Sequence, residues 1–234
     1  MQEAHKKNPD YEWYLDGAVN FEPGMTCRLK CPACWRAWNA DTLKADTQAG
    51  RRTNQKYDDV KIILETFGKI DACGNMSDPI YWPGFEQMLE NCLKGNTQEL
   101  HIHTNGSGKT IDWWWRLFKK VADSRKINER IEDMVVWYFA LDGLPEESHK
   151  YRINQDGRQV WEVMKMGAEM GCKIKWQYIV FNYNEKHIEA ARRMAEQYKH
   201  MEFREMHSVR WDDVMAKYKP SDEYTTQKRM TWQD

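Results

Sequence analysis

No run of roughly 18 consecutive apolar residues occurs in the 234-residue sequence, so no segment reads as a transmembrane helix. Charge of one sign is not in excess. With 35 basic and 36 acidic side chains the formal net charge is −1. No overall basic field therefore exists to draw the chain to nucleic acid or a membrane surface. The opening MQEAHKKNPDYEWYLDG lacks the apolar core of a secretory signal. A cytoplasmic location is expected, where thiols stay reduced. Cysteine is sparse, six residues in all, yet three of them fall within eight positions. In a reducing compartment such a cluster reads as metal-binding or catalytic rather than as a disulfide framework. No short internal repeat of roughly 20–50 residues is present, so a solenoid is not indicated.

What is present is an alternation of apolar runs and helical patterns. Strands are expected at GAVNFE, IDACG, ELHIHTNG, MVVWYFALDG, CKIKWQYIVF and MEFREMH. Between them, YDDVKIILETFGK, GFEQMLENCLKG, TIDWWWRLFKKVAD, GRQVWEVMKMGAEMG and NEKHIEAARRMAEQYKH have helical spacing. The polar stretch 39–54 reads as an irregular excursion. Six such units predict an α/β fold, a partial (β/α)6 TIM-like barrel of parallel strands. Residues 1–16 read as an N-terminal extension, 17–208 as the core domain and 209–234 as a tail, a helix with a loose end. The twelve tryptophans read mainly as packing.

The unusual residues fall after the strands. The cysteine loop follows the first, GNMSDP the second, TNGS the third, LDGLPEE the fourth and FNYNE the fifth. Barrel-like α/β folds build their sites at that end, although Gly, Asn and Asp also serve simply to turn a chain. Cys27, Cys31 and Cys34 follow a C-x3-C-x2-C spacing. A structural zinc site closes with four ligands, and His101 or His103, sharing one face of the third strand, offers a fourth. Three thiolates on a four-iron cluster would instead leave one iron open. The spacing alone leaves both open. Cys73, Cys92 and Cys172 are isolated and read as buried structural thiols.

C-x3-C-x2-C directly after a first strand resembles the radical S-adenosylmethionine superfamily. CGNMSDPIYWPGF resembles the family's G-G-E-P segment, HTNGS its T-N-G motif, and FALDGLPEESHKYR its S-x-D-G…Y-R segment. The fifth unit, WQYIVFNYNEKHIEAARRMAEQ, resembles the SPASM-associated branch, without the cysteine-rich extension of that branch. The sequence departs from the pattern at Ala33, Ser77, Asp78 and Ala140.

The resemblance implies one 4Fe-4S cluster on Cys27, Cys31 and Cys34, and S-adenosylmethionine as the second cofactor. Reductive cleavage would give a 5′-deoxyadenosyl radical that abstracts a hydrogen atom from a substrate, either a peptide or protein or a nucleotide or other small molecule. Gly74, Asn75, Ser77 and Asp78 would meet the methionine ammonium, with Asp78 as counter-charge. Arg152 would bind its carboxylate, Thr104 and Asn105 would line the pocket, and Asn182 or Asn184 would touch adenosine. Trp35 would compensate for the missing aromatic at Ala33. Lys30 and Arg36 would favour thiolates. A flavodoxin- or ferredoxin-like electron donor is the implied partner. The alternative is a non-catalytic module binding zinc, an iron–sulfur cluster or S-adenosylmethionine.

Overall fold

The computed structural model describes residues 17–49, 53–74, 76–95, 97–129, 131–208 and 211–225. Among them, six strands form one parallel sheet: β1 (Ala18–Asn20), β2 (Lys69–Ala72), β3 (Glu99–Thr104), β4 (Val135–Ala140), β5 (Lys173–Ile179) and β6 (Met201–Met206). Their order in the sheet is their order in the chain, and β1 does not meet β6. The barrel is therefore open on one side, as the alternation of units predicted. No helix is long and apolar enough to cross a membrane.

The helices are α1 (Trp35–Trp38), α2 (Ala40–Gln48), α3 (Tyr57–Thr66), α4 (Phe85–Lys94), α5 (Ile111–Ile127), α6 (Ile131–Met134), α7 (Gly157–Glu169), α8 (Ile188–Ala195) and α9 (Asp222–Thr225). Two of them correct the sequence reading. Helix α1 lies just before residue 39, unforeseen, and α2 occupies 40–48 of the stretch expected to be irregular. Its pattern is faint because α2 buries only Leu43.

Helix starts follow local chemistry. Thr110 caps α5, accepting from the Trp113 N–H, and Asp156 caps α7, accepting from the Gln159 N–H. At the far end of α7, Gly171 sits at φ +79°, where other residues are strained.

The sheet has two unlike faces. Along β3 and β5, buried residues alternate with half-buried ones. One set (Leu100, Ile102, Trp137, Phe139, Ile174, Trp176) packs into the main core with Trp114, Phe118, Val163 and Met164 of the helices. Trp114, Trp137 and Trp176 are among the largest fully buried side chains. Of the WWW run, Trp113 and Trp114 are buried and Trp115 is half exposed, so packing accounts for the first two. The other set (Asp71, His101, His103, Tyr138, Gln177, Arg204) lines a cavity. A parallel sheet covered on both faces reads as continuous apolar runs. Strict alternation in a parallel strand is therefore the signature of one uncovered face.

The described part of the tail is packed, not loose. Met215 and Tyr218 are buried against Ala33, Tyr151 and Phe181, with Cys31 alongside. Residues 1–16, 209–210 and 226–234 lie outside the described residues.

Candidate functional site

The concave face and the loops after β1 to β4 enclose a cavity of about 770 Å³. Cys27, Cys31 and Cys34 all line it, with Gly74, Ser77, Asp78, Thr104, Asn105, Ala140 and Arg152. Loops separated by a whole β-α unit in sequence thus converge on one space, because parallel strands bring their carboxyl ends to one rim. Among the described residues, no three His, Cys, Asp or Glu side chains are grouped for a single metal ion. A polynuclear cluster spreads its thiolates over several metal atoms and does not require such grouping.

The cysteine loop is held by its neighbours. The Lys30 N–H donates to the Ile153 carbonyl at 3.1 Å and the Cys34 N–H to the Cys31 carbonyl at 3.1 Å. Asn105 Nδ2 lies 3.5 Å from Cys27 Sγ, positioned to donate to a thiolate. Burial raises the Cys27 thiol pKa and pushes Cys31 up to about 11, although Arg152 pulls Cys31 down and Arg36 pulls Cys27 down. At Cys27 the expected bias of Arg36 toward thiolate is thus outweighed by desolvation. Metal binding has to displace these protons.

Arg36 has a second task. It donates from one nitrogen to the carbonyls of Met25, at 2.8 Å, and Met76, tying the cysteine loop to the loop after β2. Glu22, just past β1, accepts from the N–H groups of Met76 at 2.6 Å and Ser77 at 2.8 Å, and from Ser77 Oγ at 3.2 Å. Sequence reasoning missed Glu22, since nothing local marks a contact more than 50 residues away. At Gly74 a Cβ would stand 2.0 Å from the Ser77 carbonyl oxygen, so this cavity wall admits no side chain. Asn75 lies outside the described residues.

Asp78 lines the cavity, but its carboxylate is engaged by the chain itself. Thr104 Oγ1 donates to both oxygens at 2.9 and 3.1 Å, the Asn105 N–H at 2.7 Å and the Ile80 N–H at 3.3 Å. These bonds staple the β2 loop to the T-N-G turn. Gly106 in that turn adopts φ +71°, which explains the glycine.

Burial raises the Asp78 pKa to about 6, against the donors that lower it. The native state therefore holds this proton more tightly than the unfolded chain does. That contribution to stability is full below the unfolded value and is lost as pH rises through about 6. From pH 4 to 7, wild type should lose on the order of 3 kcal/mol relative to Asp78→Asn. Urea unfolding of both proteins across that range checks it, and parallel stability curves would contradict it.

Arg152 reaches the cavity from the loop after β4, and its Nε pairs with Asp142 at 2.7 Å. Asp142 is fully buried and also accepts from the Ile179 N–H at 2.8 Å. Opposing burial, this pairing holds the Arg152 pKa above its usual range.

Three of the expected residues do not line the cavity. Asn182 lies away from the cavity, its amide donating to the Lys217 carbonyl at 2.9 Å, where it fastens the tail. Asn184 is buried as a local cap, accepting from the Phe181 N–H at 2.7 Å and donating to the Ile179 carbonyl at 2.9 Å. Trp35 is not among the cavity residues. Of the isolated cysteines, Cys92 and Cys172 are buried as expected, but Cys73 lines the cavity, its thiol pushed up to about 12 by burial. His103 pairs with Asp71 at 3.1 Å and stacks on Tyr138, ring centroids 4.2 Å apart.

No protein-family model matches the chain, and no curated protein does. Solved structures share its fold. Streptococcus suis SuiB bound to S-adenosylmethionine superposes with a TM-score of 0.57 at 15% identity, covering 94% of this chain and 48% of SuiB. SuiB bound to its precursor peptide SuiA gives 0.55 at 17% identity, over 89% and 44%. The anSMEcpe structure with AdoMet and the Cp18Cys peptide gives 0.54 at 15% identity, over 84% and 52%. The chain spans about half the length of these proteins.

Proposed function

We propose that this chain is a radical S-adenosylmethionine enzyme. When bound, a 4Fe-4S cluster on Cys27, Cys31 and Cys34 would supply the electron that cleaves S-adenosylmethionine to methionine and a 5′-deoxyadenosyl radical, which takes a hydrogen atom from the substrate. One observation carries the reading: the three thiols of the C-x3-C-x2-C loop open onto the same cavity as the loops matching the family's other motifs. The shared fold with S-adenosylmethionine-bound structures supports it.

The chain's own residues have distinct tasks in this reading. Asn105 donates toward the Cys27 sulfur. Gly74 and Ala140 keep the wall bare where a cofactor approaches closely. Arg152, anchored through Nε by Asp142, brings a positive guanidinium to the cavity for a carboxylate. Glu22, Arg36 and Asp78 fix the loops that carry these groups. The proposed partner is a flavodoxin- or ferredoxin-like donor in the cytoplasm.

Anaerobically reconstituted, reduced protein should release 5′-deoxyadenosine from S-adenosylmethionine, slowly, without any substrate. Chromatography of the reaction detects it. A fully loaded, reduced sample that forms none would favour the binding-only alternative, to which the departures at Ala33 and Ala140 also point.

A further inference from the structure

The cysteine loop has an outer face as well as an inner one. Leu29, between Cys27 and Cys31, is buried and lines the cavity. Its neighbours Arg28 and Lys30 are exposed and do not line it. Other loops meet this outer face. Asn154 Nδ2 donates to the Arg28 carbonyl at 3.4 Å, and the Ile153 carbonyl accepts from the Lys30 N–H. Lys109, just past the T-N-G turn, shares the Tyr81 ring with Arg28. Lys109 Nζ lies 5.7 Å and Arg28 Cζ 5.6 Å from its centroid.

Among the described residues, Arg28, Lys30 and Lys109 make no ion pair. On the loops that meet this face, and the helix starts beside them, the acids are committed elsewhere. Glu86, whose charge reaches Lys109, accepts from Trp113 Nε1 at 2.7 Å and lies 3.5 Å from Lys120 Nζ. Glu146 pairs with Arg158 at 3.4 Å, and Glu147 with Lys150 and His187 at 2.9 and 2.6 Å. Glu22 and Asp78 are held by the N–H groups described above. Asp112 and Asp156 stand at the starts of α5 and α7, whose positive ends offset them. In a chain of net charge −1, this face is therefore locally positive. Ile153, 40% exposed, adds an apolar contact beside it.

Arg28 and Lys30 follow Cys27 and precede Cys31 directly in the chain. The inner side of the loop faces the cavity that cofactor and substrate would fill, so an electron has to arrive from the outer side. A small charged face with one apolar contact suits a brief, electrostatically steered encounter rather than an obligate interface. We propose that the outer face of the cysteine loop, with Arg28, Lys30 and Lys109, docks an acidic electron-carrier protein. The inference rests on the proposed function and gives its electron donor a surface. In the step served, one electron leaves the reduced carrier, which is oxidised, and enters the cluster, which is reduced; no bond forms or breaks.

The test compares two electron sources for reconstituted protein at low ionic strength: reduced flavodoxin of net negative charge, held limiting, and saturating dithionite, which needs no docking. Arg28→Glu and Lys109→Glu should each slow flavodoxin-driven release of 5′-deoxyadenosine about tenfold or more. Their dithionite-driven release should match wild type. Lys199→Glu, on the loop entering β6 at the opposite end of the sheet, changes the net charge equally and should alter neither rate. Added salt should slow the flavodoxin-driven wild type and spare the two variants. Wild-type flavodoxin rates in Arg28→Glu and Lys109→Glu overturn the surface. So does an equal loss in Lys199→Glu, or a parallel loss of the dithionite rates. Calorimetric titration with oxidised flavodoxin keeps the two readings apart. Weaker binding by the two variants, with no 5′-deoxyadenosine from any sample, sinks the chemistry alone. Normal dithionite-driven release, with binding indifferent to both changes, sinks the docking surface alone. A duplex DNA probe that binds more tightly than flavodoxin, and is released by the same two changes, reassigns the face to nucleic acid.

Discussion

Cys27→Ala, Cys31→Ala and Cys34→Ala should each leave the reconstituted protein almost without iron, whereas Cys92→Ala and Cys73→Ala keep it. The first three thiols share one loop and one cavity. Cys92 is buried inside α4. Cys73 lines the cavity, but it follows β2 and stands outside the C-x3-C-x2-C loop. Two remaining thiolates hold a four-iron cluster poorly, so the loss should be near complete rather than graded. Iron and acid-labile sulfide per chain, measured after anaerobic purification, decide the matter. Full cluster content in any of the first three variants would remove the basis of the proposed function.

The second large effect is on stability. Arg152→Met should destabilise the fold by about 3–5 kcal/mol, because it strands the fully buried Asp142 carboxylate without its cation. Adding Asp142→Asn should recover part of that loss, since the variant then buries no unpaired charge. Urea unfolding of the two single variants and the double variant measures the coupling. A small effect from Arg152→Met, or strict additivity, would mean that the pair carries little. The sequence assigned Arg152 to a ligand, and the structure adds the anchor. Loss of cofactor binding in an Arg152 variant must therefore be judged against its stability.

Much of the architecture was legible because it rests on local periodicity. The six strands and the five long helices follow from apolar spacing, and the cysteine loop from its own motif. Helices α1 and α2 were not, since α2 buries one side chain and leaves no stripe to read. The braces were not legible for a different reason. Glu22, Arg36 and Asp78 act on backbone groups of distant loops, and any residue offers such groups, so no pattern in the partner betrays the contact. Asn182 and Asn184 stayed ambiguous because asparagine after a strand suits a ligand, a cap or a tether equally well. Gln177 and Arg204, on β5 and β6, were visible only as polar positions in an alternating strand. Which face they share needs the register.

The strictly sequential strand order sets a timetable for synthesis. Each strand pairs first with the one made just before it, so the sheet can grow from β1 outward as the chain leaves the ribosome. The three thiols emerge early, with the first unit. Their supports do not: Asn105 arrives with β3, Ile153 after β4, and the tail that packs beside Cys31 last of all. A nascent chain stalled before Ile153 thus exposes all three cysteines without the carbonyl that fixes their loop. The interval between the making of the thiols and the completion of their pocket is the period in which they are most open to oxidation and stray metals.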